Sequence, residues 1–185
     1  ARAGSANLGN CTFTAADITK PWPARRANMV YARFILTHLR EPERLLANAR
    51  NTLLPGGYMV AEDIDSSGRF CNPESAAVER FFELYIEVTR LKGCDPFIGR
   101  RLDTLMEDCG FSDVGSALIH PYGRTGAAKN VVILTFHAIS DSVLAAGLAS
   151  SEELHELGAE IDAFAARKDT TISIPRVFQV WGVKR

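Results

Sequence analysis

Two apolar runs dominate the pattern of the chain: Met29-Val30-Tyr31-Ala32 into Arg33-Phe34-Ile35-Leu36, and Tyr58-Met59-Val60-Ala61, which ends in Glu62 and Asp63. Runs of this kind, without strict alternation, predict strands buried on both faces, as in a parallel sheet. Between them Pro42 suits a first helical turn, and Leu45, Leu46, Ala49 and Leu53 recur on one face up to Pro55-Gly56-Gly57. The three pieces predict one βαβ unit. Functional groups in such units gather past the carboxyl ends of the strands, which directs attention to residues 33–38 and 62–65.

The remaining pattern extends this unit in both directions. Cys11 to Ala16 predicts a strand, and Asn7-Leu8-Gly9-Asn10 before it a helix stop; Lys20-Pro21-Trp22-Pro23 predicts a loop. Asn72-Pro73 predicts a cap and first turn for a helix reaching Lys92-Gly93, with Val78, Phe81, Phe82, Tyr85, Val88 and Leu91 on its apolar face. Ile98, Leu102, Leu105 and Met106 predict a helix stopped by Gly110, and Val114 to His120 alternates as a strand. Val131 to Leu148 mixes β-branched residues with helical spacing and is read as helix. Ser150 and Glu153 form a capping-box pattern before another, and Ile172 to Val183 predicts a last strand with Pro175 near its start.

Composition narrows the classes. The chain has 185 residues, 46% of them hydrophobic, enough for one domain with a full core. Lys plus Arg is 21 and Asp plus Glu is 22, so no net charge steers it to nucleic acid or an anionic membrane. Apolar runs such as Val131 to Phe136 fall far short of the roughly 20 residues of a membrane span, and without a visible signal peptide the default location is cytoplasmic. Cys11, Cys71, Cys94 and Cys109 lack C-x-x-C spacing, which argues for reduced thiols over zinc or a redox pair.

Candidate chemistry lies at the predicted strand ends. His38 titrates near neutrality and suits a general base toward a substrate hydroxyl, or else belongs to a structural helix start. Glu62, Asp63 and Asp65 form an acidic cluster; alternation places Asp63 and Asp65 on one side and Glu62 on the other. These acids suit proton uptake, a cationic substrate group or a hard metal, and equally an ion-pair network with Arg69, Arg100 or Arg101. Arg33 offers a bidentate fork to a carboxylate, or an ion pair to a nearby acid. Tyr31, Tyr85, Phe70 and Phe97 are candidates for an apolar pocket, Trp22 for a stacking surface and His120 for the same cleft, while His137 and His155 read as structural.

The motifs V-Y-A-R-F-I-L-T-H-L-x-x-P and L-L-P-G-G-x-x-V-x-E-D resemble the fourth strand, following helix and fifth strand of class I S-adenosylmethionine-dependent methyltransferases of the small-molecule type; Cys11 to Ile18 is similar to their third strand and its closing acid. Asn28 departs from the acid common near the fourth strand. The resemblance, carried by residues 11–63, implies an α/β Rossmann-like sheet with an antiparallel last strand and extra helices. It further implies Asp17 at the adenine amino group, Ile18 against the ring, and Ala32 and Arg33 at the cofactor's methionine portion. His38 and Asp63 are then the candidate catalytic residues, with S-adenosylmethionine as cofactor, a small molecule as acceptor and no metal.

A helical insertion at about 66–96 becomes a candidate lid, and a helical pair at about 129–166 either extends the domain or forms a homodimer surface. No G-x-G-x-G occurs, and the chain opens Ala1-Arg2-Ala3 without methionine. The expectation is therefore a single, partial domain, the carboxyl two-thirds of a larger protein, whose sheet lacks the strands between its third and fourth. A catalytically inactive, dimeric binding or scaffold module is the alternative. A nicotinamide oxidoreductase fits least, since neither Tyr-x-x-x-Lys nor G-x-G-x-x-G is present.

Overall fold

The βαβ unit forms as its pattern predicts. In the computed structural model, which describes residues 9–22 and 26–185, β1 (Ala27–Arg33) runs parallel to β2 (Leu53–Asp65), and α1 (Pro42–Thr52) crosses between them with Pro42 in its first turn. The Pro55-Gly56-Gly57 segment is an irregularity at the start of β2 rather than a free turn: Leu53 pairs with Ala27, but the next pair is Tyr58 with Met29. Gly56 adopts φ 78°, a left-handed conformation that disfavours side chains. A Cβ on Gly57 would lie 2.9 Å from the Leu54 carbonyl oxygen, so both glycines are required by the backbone.

Downstream lie β3 (Cys71–Asn72), α2 (Ala76–Leu91), a 3-10 turn (Ile98–Arg101) continuing into α3 (Leu102–Asp108), β4 (Ser112–Ile119), β5 (Tyr122–Gly123), α4 (Ala127–Ala145), α5 (Ser151–Ala166), β6 (Thr171–Ser173) and β7 (Arg176–Val183). The main sheet has the order β1-β2-β7-β4, with β7 antiparallel to both neighbours, as expected for the last strand. A small sheet orders β3-β6-β5. Pro175 separates β6 from β7, where its missing N–H breaks no ladder.

Two cores result. One lies between the main sheet, α1 and α3, and includes Ala32, Leu46, Met59, Ala61, Leu102 and Val180. The other joins α2, α4, α5 and the small sheet through Phe81, Phe82, Phe136, Leu157, Ile161 and Ile172. The opposite face of the main sheet leaves Met29, Tyr31, Tyr58 and Trp181 exposed, and the outer edge of β1 pairs with no strand among the described residues.

Two expectations are corrected. Residues 11–16 form no strand: they run exposed and enter no ladder with a described residue, and strand propensity without a partner does not make a strand. The α2 cap is Ser75, whose hydroxyl accepts from the Val78 N–H at 3.3 Å, instead of Asn72, which pairs with Thr171 in β3. Of the expected stop at residues 7–10, only Gly9 and Asn10, in a turn, lie within the described residues.

The Ser150 box forms by half. Its hydroxyl accepts from the Glu153 N–H at 3.0 Å, while the Glu153 carboxylate turns to Arg80 of α2 at 2.9 Å, tying α5 to α2.

Candidate functional site

The parallel ladder ends at Arg33 and Glu62, and the chain then bends sharply. Phe34 takes φ 53°, an unfavourable region for an aromatic residue, while its N–H donates to the Glu62 carbonyl at 2.8 Å. Such strain costs on the order of 1–3 kcal/mol and gathers at functional sites. It turns the chain into the 3-10 turn Leu36–His38. The buried Asp63 holds that turn: its Oδ2 accepts from the Thr37 N–H at 3.1 Å and its Oδ1 from the Ile64 N–H at 2.9 Å. The Thr37 hydroxyl donates to the Asp95 carbonyl at 3.0 Å, joining the turn to the segment after α2. Burial pushes the Asp63 carboxyl above the usual aspartate range, against the pull of these N–H groups and of His38.

His38, thus carried, stands exposed at the mouth of a cavity of about 210 Å³ at the seam between the two cores. Phe34, Thr37 and His38 form one wall, Phe81, Phe82 and Tyr85 of α2 a second, and Val131, Val132 and Thr135 of α4 a third; Ile174 and Pro175 close it. Tyr85 is buried, and burial raises its ionisation with the Asp63 charge acting in the same direction.

Asp65 ends β2 on the same side as Asp63. Arg100 Nη2 donates to its Oδ1 at 2.6 Å, the Ser67 N–H and hydroxyl donate at 2.9 Å each, and Arg176 lies at 3.7 Å. Burial would raise this carboxyl, but Arg100 and Ser67 outweigh it and hold it below the usual range. Glu62 points to the other sheet face, as alternation requires, between Arg33 Nε at 3.1 Å and the Gln179 amide at 2.5 Å. Arg33 also lies over the Phe34 ring at 4.9 Å. The nearby Tyr31 hydroxyl has its ionisation raised by desolvation and by Glu62.

The sequence candidates therefore separate into groups. His38 and Asp63 meet through the 3-10 turn. Ala32 is buried in the sheet core, so its side chain packs rather than meeting a ligand. Asp17 and Ile18 sit in a distinct loop: Asp17 Oδ1 accepts from the Thr19 N–H at 3.0 Å and the Thr19 hydroxyl at 2.7 Å, which lowers its ionisation. The Ile18 carbonyl accepts from Trp22 Nε1 and from Asn48 of α1, and both Ile18 and Trp22 pack on the sheet core, so Trp22 is loop packing. Of the pocket candidates only Tyr85 lines the cavity. Tyr31 lies on the open sheet face, Phe70 packs on His120 and Tyr122, and Phe97 faces Arg90 and Arg100.

Phe34, Thr37 and Thr135 belong to the site without having been singled out. Their signal was position alone: just past a strand end, or on the helix that crosses it. Among the described residues no group of three or more His, Cys, Asp or Glu could hold a metal, and no helix is long and apolar enough to cross a membrane.

The donor set can be tested against the methyl donor the resemblance implies. Among the described residues Asp17 Oδ2 has Lys20, at 3.7 Å, as its ionic partner and no hydrogen bond, which suits an acceptor for an amino group. Arg33 spends Nε on Glu62, and among the described residues its terminal nitrogens enter no ion pair. Asp17 and Arg33 are thus the described groups whose chemistry suits an amino group and a carboxylate of that donor.

In fold the chain is similar to YcgJ of Bacillus subtilis, with TM-score 0.59 and 12% identity over all of this chain and 75% of that one. A protein of Bacillus halodurans C-125 described as a methyltransferase gives TM-score 0.54 and 14% identity over 93% and 76%. Phosphoethanolamine N-methyltransferase 2 of Haemonchus contortus, in complex with phosphomonomethylethanolamine and S-adenosylhomocysteine, gives 0.53 and 14% over 99% of this chain and 39% of that one. No curated protein matches the chain by sequence. A methyltransferase domain family model matches residues 6–115, more than half of the chain, which places it in the class I S-adenosylmethionine-dependent methyltransferase family.

Proposed function

We infer that the chain serves methyl transfer from S-adenosylmethionine to a small-molecule acceptor held in the cavity beside His38. The observation that carries this reading is the meeting, past the ends of β1 and β2, of a strained turn at Phe34, a histidine and an apolar pocket open at its mouth. The donor, when bound, supplies a methyl group already activated by its positive sulfur. The protein's task is to align and desolvate, effects worth up to about 7–11 kcal/mol for well-oriented groups. Asp17 and Ile18 are assigned to the adenine end, Arg33 and the Ala32 backbone to the methionine end. His38 receives the acceptor's proton. Asp63 is a positioning residue that fixes the turn bearing His38. The segment from 66 to 96 supplies α2 as one cavity wall, which supports its reading as the lid.

Calorimetric titration with S-adenosylhomocysteine tests the assignment. Binding is expected, with a roughly tenfold or greater loss on Arg33→Ala, since a hydrogen bond to a charged group contributes about 1.5–3 kcal/mol. Absence of any binding would overturn the donor assignment.

A further inference from the structure

The geometry points to a neutral, single-ring acceptor carrying a hydroxyl group as the occupant of the cavity, with the ring between Phe81, Phe82 and Val132 and the hydroxyl toward His38. That this occupant is methylated rests on the reading above; that the cavity binds it does not.

Size is the first argument. A cavity of about 150 Å³ lined by apolar side chains is enough for benzene, and the 210 Å³ here leaves room for one ring with small substituents. Charge is the second. Among the described residues no Lys, Arg, Asp or Glu lines the space. Asp63, beneath it, spends its oxygens on the Thr37 and Ile64 N–H groups, and Arg100 and Arg176 turn to Asp65 and Ser67. A phosphate, carboxylate or ammonium group would lose its water here without gaining a counter-ion, and isolated charges are excluded from such surroundings. Aromatic walls attract a cation too weakly to offset that loss.

The third argument is the polar inventory. The Thr37 hydroxyl is already committed to Asp95, and the Tyr85 hydroxyl is turned to Thr37 and Thr89. The His38 ring and the Thr135 hydroxyl line the cavity and make no side-chain hydrogen bond among the described residues. One ligand hydroxyl, donating to the histidine and accepting from the threonine, meets both needs.

The probes are 4-ethylphenol, ethylbenzene and phenyl phosphate, titrated into the protein by ligand-observed NMR. The expected order is 4-ethylphenol tightest, ethylbenzene weaker and phenyl phosphate at least tenfold weaker than the phenol. His38→Ala is expected to weaken the phenol by roughly three- to tenfold, the scale of one hydrogen bond, and leave ethylbenzene unchanged. Thr135→Trp is expected to abolish binding of all three by filling the space. Circular dichroism checks that variant's fold, and Val131→Trp, at the exposed mouth, provides a second block should the first unfold.

Phenyl phosphate binding as tightly as the phenol would overturn the proposal, as would phenol binding that survives a folded blocking variant. Phenol binding without S-adenosylhomocysteine binding leaves the cavity assignment standing and overturns methyl transfer, making the chain a binding module. The reverse result overturns the cavity assignment alone.

Discussion

Asp63 and Asp65 are two residues apart on one strand and one face, both almost wholly buried, yet their surroundings drive them in opposite directions. Asp63 forms the floor beneath the cavity wall, and its hydrogen bonds among the described residues come from backbone N–H groups. Asp65 closes the strand, at the rim of β2, and meets two guanidinium groups and a serine. Burial penalises both charges, so the difference lies in the partners: dipoles do not repay the desolvation of Asp63, whereas a full positive charge repays that of Asp65. The floor is thereby built to hold a turn, and the rim to hold two distant segments together.

The largest expected effect is at the floor. Asp63→Ala leaves the buried Thr37 N–H without an acceptor and should destabilise by roughly 2–3 kcal/mol in urea unfolding. Asp63→Asn keeps one acceptor oxygen and should lose less than half as much. Equal losses would mean that the hydrogen bonds are not what the residue contributes.

At the rim, Gly99 brings the 3-10 turn bearing Arg100 against the end of β2, where an added Cβ would lie 2.8 Å from the Ile64 carbonyl. Gly99→Ala should therefore cost about 1–3 kcal/mol by overpacking and loosen the Arg100 contact. Arg100→Ala is gentler. Arg100 is half exposed and Ser67 and Arg176 remain, so about 1 kcal/mol is expected. Molar salt should shrink the Arg100 effect and leave the Asp63 effect intact, because screening acts on exposed charge pairs. If salt moved both alike, the contrast drawn between floor and rim would fail.

The smallest effect is the pH dependence, and its sign separates the two sites. Asp63 has a raised carboxyl, so its contribution is fullest below the ordinary value of 3.8 and is lost as pH rises through its own higher value. Asp65 has a lowered carboxyl, so its contribution is present above 3.8 and is lost as acid titrates it below that value. Relative to the unsubstituted protein, Asp63→Asn should gain stability and Asp65→Asn should lose it as pH rises from acid through 3.8 and above, both differences levelling off in acid. Profiles that bend the same way would show that one assignment is wrong.

Much of this contrast was legible in the sequence, but not its sign. Two apolar runs, the helix between them and the alternation of residues 62–65 place Asp63 and Asp65 together with Glu62 apart, and the fold keeps that arrangement. Arg100 was one of several arginines eligible as partner; it lies 35 residues on, and only the packing of Gly99 against β2 selects it. Arg176 was not considered at all, because it arrives through β7, an antiparallel partner from the far end of the chain. The cavity was hidden for a related reason. Phe81 and Phe82 carry the same helical spacing whether they meet a core or a hollow, and the spacing does not tell which. Residues 11–16 show the converse failure, a local strand pattern with no described strand beside it.

The left-handed backbone at Phe34 has a consequence for which substitutions the position accepts. A library randomised at residue 34 and selected for folding alone should fill with Gly, Asn and Asp, the residues at home at φ 53°. The same library selected for retention of a phenolic ligand should keep aromatic residues, because Phe34 lines the cavity. Val, Ile and Thr should vanish from both, since their branched Cβ suits neither demand.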